Sequence, residues 1–249
     1  MTISPNLHGK VALVTGGSRS IGAAIARRLA ADGATVAITY HASPEKADAL
    51  VAAIMSSGGR AIAVQADAGD PAAVRDAVNR VAEQFGSIDI LVNNAGISVL
   101  GAPTEIAFAD FERILAVNVT GVFVATQEAL RHMGQGGRII HIGSSMVQYA
   151  AFPTASAYTL TKGAVAGFSK GLVRDLGPKG ITVNTVHPGP TDSDMNPADG
   201  AVADFVRPGI AMGRYGEGAD IAAAAAWLAS AEASFVTGAE LLVDGGFTA

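Results

Sequence analysis

Val11-Ala12-Leu13-Val14-Thr15-Gly16-Gly17-Ser18-Arg19-Ser20-Ile21-Gly22, running on into an alanine-rich stretch that Gly33 ends, decides the fold. The unbroken apolar run Val11–Thr15 reads as a strand without a wet face, and Ile21–Asp32 carries its apolar residues at helical spacing. Between them the chain must turn tightly on glycine. A helix starting there points free N–H groups and the positive end of its dipole at the turn, which favours an anion such as phosphate. A plain strand-to-helix connection also uses glycine, so the surroundings must complete the reading.

Outward from this unit the same alternation repeats. Further strands are predicted at Thr35–Tyr40, Ala61–Gln65, Ile88–Val92, Arg138–Ile142, Ile181–Val186 and Glu240–Val243. Helices are predicted at Pro44–Ser57, with Ser43 as cap, and at Pro71–Phe85, capped by Asp70, each with proline at the first helical position. Thr104 to His132 is long enough for one bent helix or two, and Ala155–Leu176 and Glu217–Ser230 complete the set. Seven buried strands alternating with helices imply an α/β chain, a doubly wound seven-stranded parallel sheet with helices on both faces. With 249 residues and no low-complexity linker, residues 1–249 are expected to form a single domain. Pro188 to Gly213 breaks the rhythm with four prolines and no apolar period, and is expected to be a lid of about 188–213 over a site.

Composition excludes several chemistries. There is no cysteine, and the five histidines include no pair at metal-ligand spacing, so no catalytic metal is expected. Seventeen Lys and Arg against twenty-two Asp and Glu, without a basic run, argue against a nucleic-acid partner. Met1 to Lys10 lacks an apolar leader core, and the longest apolar run, Ile221 to Ala229, is too short to span a bilayer. A soluble, cytoplasmic protein without membrane partners is expected.

In dinucleotide-binding folds an acidic residue about 20 positions past the glycine turn holds the ribose 2′-hydroxyl. The end of the second predicted strand instead offers Tyr40, His41 and Ser43, and Arg19 stands in the turn. A missing carboxylate and an available cation favour NADP (NADPH) over NAD.

Several motifs falling in order make the chain resemble the short-chain dehydrogenase/reductase family over almost its whole length, which implies a Rossmann fold. Thr15-Gly16, with Ser20-Ile21-Gly22 after three residues, is similar to its nucleotide turn, Asn93-Asn94-Ala95-Gly96 to its motif after the fourth strand, and Tyr158-Thr159-Leu160-Thr161-Lys162 to its Tyr-x-x-x-Lys. The resemblance implies a catalytic set of Asn118, Ser145, Tyr158 and Lys162. Ser145 stands thirteen residues before Tyr158, a spacing that favours it over its neighbour Ser144. Four residues apart on one helix, Lys162 is expected to lower the Tyr158 pKa and make the phenol a general acid/base, with Ser145 holding a carbonyl oxygen. The resemblance further implies that Lys162 binds nicotinamide ribose and Asn118 holds a water near it. It places Gly16, Ser18, Arg19, Ser20, Ile21 and Gly22 at the phosphates, Asp67 at the adenine, Asn94 and Gly96 at the adenosine ribose, and Pro188, Gly189, Thr191 and Ser193 over the nicotinamide and pyrophosphate. Ser20 departs from the pattern, which has glycine there.

Met146, Val147, Gln148, Tyr149 and Phe152, with Met195, Phe205 and Met212 from the lid, give a mostly apolar candidate lining suited to a ketone or secondary alcohol with alkyl or aryl flanks. An NADPH-dependent carbonyl reductase/alcohol dehydrogenase acting on a small molecule is therefore expected. The stretch Phe235–Glu240 through Asp244-Gly245-Gly246 also resembles 3-oxoacyl carrier-protein reductases. That role ranks second, because Arg131 and Arg138 alone make a poor basic patch for an acyl carrier protein. A non-catalytic nucleotide-binding sensor is the reading from a different class. The resemblance also implies a homotetramer.

Overall fold

The computed structural model describes residues 6–249. Strands β1 (Val11–Val14), β2 (Thr35–Tyr40), β3 (Arg60–Gln65), β4 (Ile90–Asn93), β5 (Arg138–Ile142), β6 (Thr182–Pro188) and β7 (Glu240–Val243) form one sheet. Its order is β3-β2-β1-β4-β5-β6-β7, and every pairing is parallel. The order reverses between β1 and β4, so their carboxyl ends open a crevice where ligands of such sheets bind.

Both faces are covered. Alternate residues of the strands point into two separate apolar cores: Ala12, Val14, Ile38 and Val92 pack under α1 (Ser20–Ala31), α2 (Pro44–Ser56) and α8 (Gly218–Ala229). Val11, Leu13, Leu91 and Ile139 face the opposite core with α3 (Pro71–Phe85) and α6 (Ser156–Leu176). The central strands β1, β4, β5 and β6 are buried along their whole length and so read as continuous apolar runs, whereas the edge strands β3 and β7 are only partly covered, against the expectation that no strand has a wet face.

Strand ends shift by a residue or two from the sequence expectation: β4 starts at Ile90, and β6 runs on to Pro188. Asp89, just before β4, keeps backbone hydrogen bonds to Val11 and Arg138, while its carboxylate accepts from Val11 N at 2.9 Å and pairs with Lys10 at 3.1 Å. Asp70 caps α3 as expected, accepting from Ala72 N at 2.9 Å. Ser43 precedes α2 but makes no side-chain cap bond. The long stretch after β4 begins its helix at Phe108, not Thr104, and is two helices joined end to end: α4 (Phe108–Leu115) and α5 (Gly121–Ala129), with a π-helical turn at Ala116–Thr120. Residues 189–217 between β6 and α8 are irregular apart from the short α7 (Ala203–Val206) and 3₁₀ turn 207–209.

Candidate active site

The glycine-rich connection leaves β1 at the crevice and is fixed from two sides. Gly16 N donates to Thr39 Oγ1 at 3.1 Å, and Thr15 Oγ1 accepts from Asn94 N and Ala95 N at 3.0 and 3.1 Å. The Asn94 side chain folds back onto the glycine turn. Its Nδ2 donates to Thr15 O at 2.9 Å and Gly16 O at 3.1 Å, clipping the turn onto β4. Gly22 is required by this contact, since a Cβ there would lie 2.5 Å from both Asn94 Nδ2 and Gly16 O. Ser20 takes φ 49°, the left-handed region, which explains why the resembling pattern places glycine here.

The rim beside β2 and β3 carries Tyr40, His41, Ser43 and Asp67. Asp67 Oδ1 binds Arg113 at 2.8 Å and accepts from Gly69 N at 2.8 Å, while Oδ2 lies 3.9 Å from His41 Nε2. The Arg113 hydrogen bond holds the Asp67 carboxyl below its ordinary pKa. Arg19 reaches Asp194 at 3.0 Å, and Lys46, in the first turn of α2, joins the same carboxylate at 3.2 Å. Lys46 was absent from the sequence candidates, although its position three residues beyond Ser43 was the signal that could have found it. No carboxylate stands at Tyr40–Ser43.

At the other side of the crevice, α6 lays Tyr158 and Lys162 on one face. Lys162 is buried, its Nζ 2.9 Å from Ile142 O and 5.7 Å from the Tyr158 ring centroid. Asn118 lies in the π-helical turn and spends its amide on the chain. Its Oδ1 accepts from Ile97 N at 2.9 Å, and its Nδ2 donates to Ile97 O at 2.9 Å and Thr161 Oγ1 at 3.0 Å. Gly96 faces both groups: a Cβ there would stand 3.4 Å from Lys162 Nζ and 3.5 Å from Asn118 Oδ1.

Two expectations change. The serine whose side chain lowers the Tyr158 pKa is Ser144, where the spacing favours Ser145. Ser144 keeps extended backbone at the exit of β5 and caps the 3₁₀ turn Ser145–Val147, accepting from Met146 N at 3.2 Å, whereas Ser145 is the first residue of that turn; both serines are buried. The buried His187 ring backs Ser144, its Nδ1 accepting from Ser144 N at 3.1 Å. Nor does Lys162 depress the phenol. Burial pushes Tyr158 up to about 12, with the Ser144 bond opposing it, and brings Lys162 down to about 8.

Pro188 ends β6, Gly189 N donates to Val243 O at 3.0 Å, Thr191 Oγ1 donates to Gly189 O at 3.0 Å, and Ser193 Oγ accepts from Asn196 N at 3.1 Å. These four carry the chain along the crevice mouth. Among the described residues no cluster of three or more His, Asp or Glu could hold a metal ion, and no helix is long and apolar enough to cross a membrane.

Residues 16–248 match the family model described as enoyl-(acyl carrier protein) reductase. Over 241 residues, 97% of this chain and 98% of that protein, the sequence is 44% identical to the cyclic-di-GMP-binding biofilm dispersal mediator protein of Escherichia coli (strain K12). A short-chain dehydrogenase from Burkholderia cenocepacia J2315 in complex with NADP superposes with TM-score 0.96 at 55% identity, covering 98% of this chain and 100% of that one. A blue fluorescent protein from a metagenomic library, in complex with NADPH, gives TM-score 0.96 at 51% identity over 98% and 100% of the two chains. With similarity of this extent laid over the parallel sheet and its crevice, the chain belongs to the short-chain dehydrogenase/reductase family of oxidoreductases.

Proposed function

We propose that the protein is an NADPH-dependent carbonyl reductase that also oxidises the corresponding secondary alcohol, with Tyr158 as acid/base. The observation that carries this reading is Tyr158 and the buried Lys162 one turn apart on α6 at the crevice, with Ser144 as the side chain that acts on the phenol. Bound nicotinamide supplies the hydride in reduction and takes it in oxidation. Tyr158, held neutral at working pH by burial, gives its proton to the oxygen of the substrate carbonyl. Ser144 donates a hydrogen bond to that oxygen and fixes its place. Lys162, mostly charged at neutral pH, offers N–H donors to ribose hydroxyls beside Gly96, and Asn118 braces the loop opposite. Arg19 and Lys46 are the cations for a 2′-phosphate, and the solved relatives in complex with NADP and NADPH support that choice.

Tyr149, Met195, Phe205 and Met212 stand half or more exposed around the crevice mouth, which suits an apolar ketone, with 188–213 as lid of a single-domain enzyme. Phe108 and Phe123, exposed on α4 and α5, support assembly into a homotetramer through those helices.

A second reading, the nucleotide-responsive sensor, draws on the printed description of the Escherichia coli relative as binding cyclic di-GMP. Tyr158→Phe separates the two. The enzyme reading requires NADPH oxidation with a ketone panel to fall about 10²- to 10⁴-fold while NADPH still binds. A wild-type protein that binds NADPH tightly and turns over no ketone, 3-oxoacyl thioester, diketone or aldehyde gives the sensor reading the field.

A further inference from the structure

One residue ties the irregular segment after β6 to the phosphate-binding turn. Asp194 N donates to Ser20 Oγ at 3.1 Å, and its Oδ2 accepts from Arg19 Nη1 at 3.0 Å and Lys46 Nζ at 3.2 Å. Arg19 comes from the β1–α1 turn and Lys46 from α2, so cations from two elements converge on one carboxylate oxygen. Lys46 first and Arg19 second hold the Asp194 carboxyl below its ordinary pKa, so it is charged at neutral pH. All three border an open cleft of about 490 Å³ between the turn, α2 and the start of α8.

The energies favour exchange rather than a permanent lock. The three side chains are 56%, 56% and 46% exposed, and ion pairs this wet contribute at most about 1 kcal/mol each. A phosphate monoester brings a charge of about −1.5 to −2 and three acceptor oxygens, where the carboxylate brings one charge and two. Placed against the same pair of cations, the phosphate wins.

We infer that Asp194 is a cofactor-selectivity residue: its carboxylate competes with a 2′-phosphate for Arg19 and Lys46, so that a 2′-phosphorylated nucleotide displaces it and frees residues 192–198 from the turn. This rests on the NADPH reading above. A nucleotide without the 2′-phosphate has nothing to exchange for the carboxylate and leaves the segment fastened. Selectivity for the phosphorylated cofactor is thus expressed twice, in affinity and in the mobility of the crevice mouth.

The test is calorimetric binding of 2′,5′-ADP and 5′-AMP to the full-length protein and to Asp194→Asn, which keeps the side-chain size and removes the charge. Asp194→Asn is expected to tighten 2′,5′-ADP about three- to tenfold and to leave 5′-AMP within about twofold. Amide exchange in 192–198 should rise when wild type meets 2′,5′-ADP, stay unchanged with 5′-AMP, and already be raised in Asp194→Asn alone. Unchanged or weakened 2′,5′-ADP binding by Asp194→Asn overturns the assignment while leaving the NADPH reading intact. A wild type that binds 2′,5′-ADP no tighter than 5′-AMP removes both.

Discussion

His141 sets an acid limit on this fold. It lies on β5, fully buried, its ring 5.9 Å from that of Phe168 and its Nδ1 3.1 Å from Asn93 Nδ2, while Nε2 has no partner. Burial first, and the Lys162 charge second, push its pKa down from 6.5 to about 3. The unfolded chain therefore takes up this proton near pH 6.5, whereas the folded chain refuses it until about pH 3. Stability is untouched by His141 above 6.5 and falls with pH between those two values. At about pH 4.5, two units below the unfolded value at about 1.4 kcal/mol per unit, the loss is about 3 kcal/mol. The perturbation is His141→Gln, which does not titrate and keeps an acceptor for Asn93. Urea unfolding followed by the single tryptophan, Trp227, at about pH 7.5 and 4.5 reads the effect. Carboxylates and His187, whose pKa burial also lowers, contribute to both proteins and cancel in the comparison. Wild type should lose about 3 kcal/mol more than the variant on acidification. Equal losses would refute the claim that His141 is held neutral by its surroundings.

Ser144→Ala should lower kcat/KM for ketone reduction on the order of 10²-fold with NADPH affinity intact, and Ser145→Ala should do far less; equal effects would return the carbonyl-holding role to an open question between them. Gly96→Ala adds a methyl 3.4 Å from Lys162 Nζ, an ordinary contact, so Tm should hold while NADPH binding by fluorescence titration weakens; unchanged binding removes Gly96 from the cofactor contacts. Asp70→Ala strips the acceptor from Ala72 N and should cost about 1 kcal/mol in urea without changing kcat, and no stability change would mean solvent already serves that N–H.

The fold was legible because burial on both faces writes the central strands as apolar runs, and because Gly16 to Gly22 can only be a tight strand-to-helix turn. What escaped depends on geometry that no local pattern carries. Whether Ser144 or Ser145 meets Tyr158 turns on one extended residue at the exit of β5, and a spacing of thirteen or fourteen cannot decide it. Asp194 meets Arg19 across 175 positions and Lys46 across 148, a convergence visible only once the sheet has ordered the loops. The π-helical turn that seats Asn118 leaves no compositional mark. Charge alone points the Tyr158 pKa downward, and desolvation of the phenol reverses it.

The packing of α1 against α8 has a consequence for synthesis on the ribosome. By Asn93 the chain contains the whole four-strand half β3-β2-β1-β4 with its phosphate turn. The helix that covers α1 ends at Ala229, 136 residues later (229 − 93), so at about 5 to 20 residues per second the apolar side of α1 waits about 7 to 30 s for its cover. The nascent nucleotide-binding half is thus born with an adhesive flank, and slowing elongation between codons 93 and 229 should lengthen its engagement with holdase chaperones in proportion.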